Sequence, residues 1–126
     1  MDMIEALRQD YQRFPKDQTY SLYAPDVYFK DPLNQFRGCD RYQKMIRLIE
    51  TWFIDVRMDL ENIEQVDNLI TTRWTLSWLA PVPWRPQIAI SGRSELTLNA
   101  DGLIASHIDF WDCSRWNVLK QLFKLK

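Results

Sequence analysis

The sequence predicts an α+β fold in which one curved sheet folds over its helices. The first half carries apolar residues at helical spacing, whereas residues 56–111 alternate apolar and polar side chains as strands do. Helices followed by antiparallel strands are typical of the α+β class. The 126 residues fit one domain, 1–126, and this length is enough to bury a hydrophobic core.

The helical segments are recognised by their period and by their ends. A first helix is predicted over residues 2–14, because Pro15 ends the periodic run. Asp17 is expected to cap a short second helix that stops before Pro25, since proline disfavours helical geometry in the residue before it. A long third helix opens after Gly38. Its predicted buried stripe consists of Tyr42, Met45, Ile46, Ile49, Trp52 and Phe53.

Period-two alternation predicts the strands. The first is the short segment "DVYFKD", and the "PLNQFRG" that follows is expected to be a loop. Later strands begin at Val56 and cover residues 69–80, 87–98 and 103–111. The prolines of "APVPWRP" separate two of them, and "NADG" is a hairpin turn. A terminal helix follows, with Asp112 as its expected cap.

Charge and composition argue against several classes of partner. Lys and Arg number 16 against 17 Asp and Glu, a formal net charge of -1, so no global positive field attracts nucleic acid. No apolar run approaches the roughly 20 residues that cross a bilayer, and the N-terminus is too polar for a signal peptide. A cytoplasmic location is therefore expected, without nucleic-acid or membrane partners. The 2 cysteines, which form no CxxC, are expected to be free thiols.

The segment "LIASHIDFWD" holds the only histidine, His107, two positions from Asp109. On a strand these side chains share a face, and Asp109 can reach His107 directly or through one water. Such a carboxylate fixes one imidazole tautomer and raises its basicity. In a closed core the two residues form a structural hydrogen-bonded pair, whereas in a cavity they are a candidate proton-handling site.

Two longer segments resemble a known superfamily. "LYAPDVYFKDPLNQFRGCDRYQKMI" resembles the signature of nuclear transport factor 2-like proteins, which include ketosteroid isomerases and SnoaL-like polyketide cyclases, and "LTLNADGLIASHIDFWD" is similar to their last hairpin. "PVPWRP" together with "HIDFWD" is similar to a group of uncharacterised small proteins from photosynthetic organisms. The resemblance implies a cone-shaped antiparallel sheet wrapped around the long helix, with an apolar pocket at its open end.

The resemblance also assigns positions around that pocket. Asp31 matches the general base of ketosteroid isomerases and Tyr11 roughly matches their oxyanion tyrosine. Ser94 occupies the place of their protonated aspartate, a departure that removes half of the oxyanion hole and argues against isomerase chemistry as such. His107 and Asp109 are expected to face the cavity, as is Trp111.

The combined prediction is a protein that binds a small apolar, carbonyl-bearing molecule without cofactor or metal. Two alternatives stay open: binding without turnover, which the sequence favours, and acid–base activity of the lyase, isomerase or cyclase type. The candidate catalytic residues are Asp31, His107, Asp109 and Tyr11. The candidate ligand-binding residues are Phe29, Trp52, Trp74, Trp78, Ser94 and Trp111. The alternatives are purely structural roles, in which Asp31 caps a loop and the tryptophans only fill the core.

A different class of function remains open at this stage. The chain is alternatively a non-catalytic interaction module that forms a homodimer through the outer face of its sheet. Ile104, Ile108 and Phe110 are expected to provide an apolar patch on that face.

Overall fold

The computed structural model describes residues 2–123 and confirms the α+β class. Three α-helices, one 3-10 helix and six strands occur in this range. In chain order they are α1 (Met3–Arg13), the 3-10 helix (Tyr20–Leu22), β1 (Tyr23–Lys30), β2 (Gln35–Arg37), α2 (Cys39–Trp52), β3 (Ile54–Val66), β4 (Leu69–Leu79), β5 (Gln87–Leu98), β6 (Ile104–Trp111) and α3 (Arg115–Leu122).

The six strands form one curved, unclosed sheet in the order β2-β1-β6-β5-β4-β3. Strands β3 to β6 are an antiparallel meander, β1 lies parallel to β6, and β2 pairs with β1 at the edge. Gly92 lies in β5 at a close approach of β6, since a Cβ there would collide with the backbone carbonyl of Phe110 and touch the Trp74 ring. None of the helices within residues 2–123 is long and apolar enough to cross a membrane.

Helices α1 and α2 pack on the concave side of the sheet. Asp2 caps α1 by accepting a hydrogen bond from the Glu5 N–H at 2.8 Å, and α1 buries Leu7. Helix α2 begins after Gly38, whose φ of +119° favours glycine. On α2, Tyr42 and Ile46 are buried. The inner faces of the central strands supply the core with Ile70, Trp74, Trp78, Ile88, Ile90, Leu96 and Ile104.

Two local predictions between the first helix and α2 are wrong. Asp17 caps no helix, since the segment forms only a 3-10 turn whose N-cap is Thr19, and Tyr23 already pairs with Ile104 in the sheet. The predicted loop after Asp31 contains strand β2, in which Phe36 pairs with Phe29. Both elements are three residues long, so neither has enough residues to show a period.

The cap of α3 is also different from the prediction. Ser114, not Asp112, is the N-cap, and its hydroxyl accepts the Asn117 N–H at 3.1 Å. The Asp112 carboxylate instead accepts a hydrogen bond from Arg73 at 2.9 Å on the outer surface. Cys113, close by, and Cys39 are both free thiols, as expected.

A bulge near the start of β6 reverses the predicted direction of Ile104. Thr97 pairs with Ser106 but Leu98 pairs with Ile104, so the register shifts by one residue between them. Ile104 therefore points inward and is 0% exposed. The outer apolar patch loses Ile104 and keeps only Ile108 and Phe110, whereas the residues after the bulge face as predicted.

Candidate functional site

The concave side of the sheet encloses a cavity of about 430 Å³ together with α1 and α2. Its walls are mainly aromatic and aliphatic side chains, and a few polar groups converge inside it. A largely apolar hollow with a small number of placed polar groups is the usual form of a small-molecule site.

All ten residues predicted from the sequence lie on the wall of this cavity. They are Tyr11, Phe29, Asp31, Trp52, Trp74, Trp78, Ser94, His107, Asp109 and Trp111. One of them departs from its expected environment: Trp52 does not belong to a buried stripe, because it lies near the end of α2 at the rim and is 58% exposed.

His107 and Asp109 form a direct hydrogen bond. His107 Nε2 lies 2.7 Å from Asp109 Oδ1, so no bridging water is needed between them. The imidazole is buried and packs against Phe29, with ring centroids 5.0 Å apart, and against Tyr42 at 5.7 Å. An ionised carboxylate only accepts hydrogen bonds, so with an ionised Asp109 and a neutral imidazole Nε2 is the donor and Nδ1 is an acceptor.

A second donor reaches the same carboxylate oxygen. The indole N–H of Trp74 donates to Ser94 Oγ at 2.8 Å, because an indole nitrogen can only donate. The single proton of Ser94 is therefore free to donate to Asp109 Oδ1, at 2.5 Å. Trp74 and Ser94 are buried, so both bonds are shielded from water.

Two tyrosines extend the network behind His107. Tyr23 OH lies 3.4 Å from His107 Nδ1, and Tyr42 OH lies 3.2 Å from Tyr23 OH. With Nδ1 as the acceptor, Tyr23 donates to His107 and Tyr42 donates to Tyr23. Burial raises the pKa of both hydroxyls well above the ordinary tyrosine value, so both remain protonated donors.

The other oxygen of Asp109 has no such partner. Oδ2 accepts no hydrogen bond from residues 2–123, and every buried side-chain nitrogen or oxygen in that range is paired. Oδ2 must therefore be open to the cavity that Asp109 lines. The carboxylate thus has one anchored oxygen and one free oxygen.

Tyr11 brings a hydroxyl to the same part of the cavity. Its OH lies 2.8 Å from Thr72 Oγ1, and either hydroxyl can be the donor. Burial raises the pKa of Tyr11 well above its ordinary value, and the nearby charge of Asp109 adds to the rise. Tyr11 is therefore a protonated hydroxyl near enough to the Asp109 carboxylate to feel its charge.

Asp31 lies on the cavity wall but outside this network. Its Oδ1 accepts the backbone N–H groups of Leu33, at 2.8 Å, and Asn34, at 2.6 Å, so it does hold the loop. Burial raises the pKa of the Asp31 carboxyl, partly offset by these hydrogen bonds, and the charge of Asp109 contributes to the rise. Asp31 and Asp109 therefore interact through space across the cavity without touching.

Sequence reasoning missed two members of the network and one buried acid. Tyr42 was assigned to the core stripe and Tyr23 to a helix; a tyrosine on an apolar stripe is itself a signal, because its buried hydroxyl needs a partner. Asp10 also lines the cavity and accepts hydrogen bonds from Arg13 and Thr19 at 2.7 to 2.9 Å, which fixes the chain after α1. Nothing in its local sequence distinguishes it from an exposed helical acid.

Comparison with known proteins identifies the fold. An NTF2-like protein of unknown function from Burkholderia pseudomallei K96243 has a TM-score of 0.77 and 15% identity, over 96% of this chain and 97% of that chain. A hypothetical protein with a ketosteroid isomerase-like fold from Catenulispora acidiphila DSM 44928, solved with trimethylamine, has a TM-score of 0.76 and 14% identity, over 95% and 91%. A putative SnoaL-like polyketide cyclase from Jannaschia sp. CCS1 has a TM-score of 0.76 and 14% identity, over 94% and 90%.

These likenesses confirm the NTF2-like fold predicted from the sequence. No protein with a curated description matches the chain. A family model described as "Uncharacterized conserved protein (DUF2358)" matches residues 1–107. The chain therefore belongs to the DUF2358 family.

Proposed function

We propose that the cavity binds a small, largely apolar molecule with a carbonyl group, and that Asp109 transfers a proton on that molecule. The observation that carries the proposal is the asymmetric carboxylate, in which Oδ1 is held by His107 and Ser94 while Oδ2 is open to the cavity. A base with one fixed and one free oxygen is oriented before a ligand arrives.

Tyr11 is the reason for proposing a carbonyl compound. When Thr72 donates to Tyr11, the Tyr11 proton is free to donate to a ligand oxygen. A donor on the carbonyl oxygen and a carboxylate near the neighbouring carbon are the two groups that enolisation requires: Asp109 takes the α-proton while Tyr11 stabilises the developing oxyanion. The proton returns from Asp109 to carbon or to oxygen, which gives isomerase, lyase or cyclase types of outcome.

His107 has a positioning role in this proposal. Both of its ring nitrogens are engaged, Nε2 by Asp109 and Nδ1 by Tyr23, and its ring is packed among aromatic side chains. It therefore orients Asp109 and does not itself contact the ligand. Asp31, whose Oδ1 holds the loop, adds a second negative charge at the cavity wall and disfavours anionic ligands there.

The comparisons support a small-molecule site without identifying the ligand. The Jannaschia protein is described as a putative polyketide cyclase, and the Catenulispora protein was solved in complex with trimethylamine. This chain shares the fold of both proteins and has an apolar cavity on the concave side of its sheet.

Binding of 2-hexanone, with n-hexane as the matched ligand that lacks a carbonyl, tests the proposal. Ligand-observed NMR should show preferential binding of the ketone to the wild type. Tyr11→Phe should weaken ketone binding by about fivefold, the effect of one hydrogen bond, and leave hexane binding unchanged. Equal affinity for ketone and alkane in the wild type would contradict the proposal.

The outer face of the sheet supports a second candidate function, homodimerisation. Phe110 is 36% exposed on this face, and the Arg93 guanidinium lies 4.2 Å from the centre of its ring. Aromatic residues and arginine are both enriched at protein interfaces. Light scattering should report a dimer for the wild type and a monomer for Phe110→Asp. A monomeric wild type would exclude this interface, and loss of the dimer in Thr97→Asp, on the same face, would show that any charge disrupts it.

A further inference from the structure

A second apolar hollow adjoins the cavity. It is a more open groove of about 510 Å³ that runs beside α3. Leu33, Trp111 and Val118 line both the groove and the cavity, so these side chains are the boundary between them. The two hollows are therefore adjacent and share three apolar side chains.

The groove leaves large apolar side chains uncovered. Leu33 is 64% exposed, Trp116 is 72% exposed and Leu119 is 44% exposed, and all three line it. A contiguous exposed apolar surface of this kind marks a site that a ligand or partner covers. Within residues 2–123, Arg115 is the one charged residue that lines the groove, and this part of the chain provides no acidic group there for a cationic ligand.

Helix α3 is anchored to the body of the domain by side-chain hydrogen bonds. The Gln121 amide pairs with both backbone groups of Ala89, accepting its N–H at 2.8 Å and donating to its carbonyl at 3.1 Å. The Trp84 indole N–H also donates to the Leu122 carbonyl at 2.7 Å. These bonds fix α3 against β5 and Trp84, and Gln121 occupies the backbone groups of Ala89, where a partner strand would otherwise pair.

We propose that the ligand is a long-chain aliphatic carbonyl compound, whose carbonyl end lies beside Asp109 and whose hydrocarbon tail passes Leu33 into the groove. This inference rests on the proposed function of the cavity. A hydrocarbon tail is the occupant that needs no hydrogen bond from the groove and gains from its apolar walls. The adjacency of the two hollows, which share three apolar side chains, favours one elongated molecule over a separate peptide.

A series of 2-alkanones from 2-hexanone to 2-tetradecanone tests the inference, with dissociation constants measured by tryptophan fluorescence. In the wild type, affinity should keep rising by up to about fourfold per added methylene beyond the length that fills the cavity. Leu119→Asp should stop this rise at shorter chains while 2-hexanone affinity stays at the wild-type level. Lys120→Gln, at an exposed position of α3, changes the net charge by the same amount as Leu119→Asp and is the matched control, which should behave like the wild type.

The outcomes separate the inference from the proposed function. If 2-hexanone binds but affinity reaches the same plateau in wild type and Leu119→Asp, the tail site is wrong and the cavity proposal survives. If Leu119→Asp lowers the sedimentation coefficient and leaves the chain-length dependence unchanged, the groove is covered by a second copy of the chain and the inference is overturned. If no 2-alkanone binds the wild type, both proposals fail.

Discussion

Trp74 donates its indole N–H to Ser94 across 2.8 Å, and this bond fixes the direction of the network around Asp109. Since the indole nitrogen can only donate, Ser94 must accept there and can send its own proton to Asp109. His107 donates to the same oxygen from the other side. Buried donors from two sides thus converge on one carboxylate oxygen.

Ser94→Ala should lower the free energy of unfolding by about 1–3 kcal/mol, because it leaves the buried Trp74 N–H without an acceptor. Urea unfolding measures the loss. In the double variant with Trp74→Phe, the unpaired donor is gone. The loss of unfolding free energy in the double variant should therefore be smaller than the sum of the losses in the two single variants. Strict additivity would show that the Trp74–Ser94 bond contributes nothing.

The tautomer of His107 is a second consequence of the network. Neutral His107 should carry its proton on Nε2, which donates to Asp109, and leave Nδ1 to accept from Tyr23. Long-range ¹H–¹⁵N NMR of the imidazole distinguishes the two nitrogens. A proton on Nδ1 would mean that Asp109 is the donor and that the direction of the network is reversed.

The long periodic elements could be predicted from the sequence, and the short ones could not. Strand β5 has the predicted bounds, 87–98, because its inner and outer residues alternate over its whole length. Strand β2 and the 3-10 turn are too short to show a period. Strand β2 forms by pairing with β1, and the 3-10 turn directly precedes the first residue of β1.

The candidate site shows the same division. The shared face of His107 and Asp109 follows from their spacing, which no bulge interrupts, whereas the bulge before Ser106 turned Ile104 inward. The partners of Asp109 from β5 depend on cross-strand register, in which Ser94 lies opposite it. The spacing of residues within one strand does not determine which residue of another strand lies opposite them, so the hydrogen bonds of Ser94 could not be predicted.

Alkaline pH should unfold the protein through its buried tyrosines. Burial raises the pKa values of Tyr11, Tyr23 and Tyr42 above the value of about 10 that holds in the unfolded chain. Their stabilising contribution is therefore complete below pH 10 and is lost as the pH rises toward the folded values. Each tyrosine should remove about 1.4 kcal/mol per pH unit in that range.

Unfolding free energies between pH 9 and 12, with tyrosinate absorbance followed in parallel, test this expectation. Tyr42→Phe should make the free energy of unfolding fall less steeply with pH, by the contribution of one tyrosine, about 1.4 kcal/mol per pH unit. Ionisation of these tyrosines at ordinary pH values in the folded protein would contradict their burial.

Asp31→Asn should change how stability depends on mildly acidic pH. Burial raises the pKa of the Asp31 carboxyl, so its contribution is complete below the ordinary aspartate pKa of about 3.9 and is lost as pH rises through the raised folded value. The asparagine has no charge to bury and keeps an oxygen that can accept the Leu33 N–H. The free energy of unfolding of Asp31→Asn should increase relative to that of the wild type as pH rises from 4 to 7. A difference between the two proteins that does not depend on pH would contradict this expectation.

Proton transfer by Asp109 is tested most directly by hydrogen–deuterium exchange at the α-carbons of 2-hexanone in D₂O, followed by NMR. The wild-type protein should accelerate exchange above the buffer rate, and Asp109→Asn should lower the protein-dependent rate by a factor of about 10² to 10⁴. Asp31→Asn is the matched carboxylate control and should retain most of the rate. Exchange at the wild-type rate in Asp109→Asn, or no acceleration by the wild type, would contradict the assignment of Asp109 as the base.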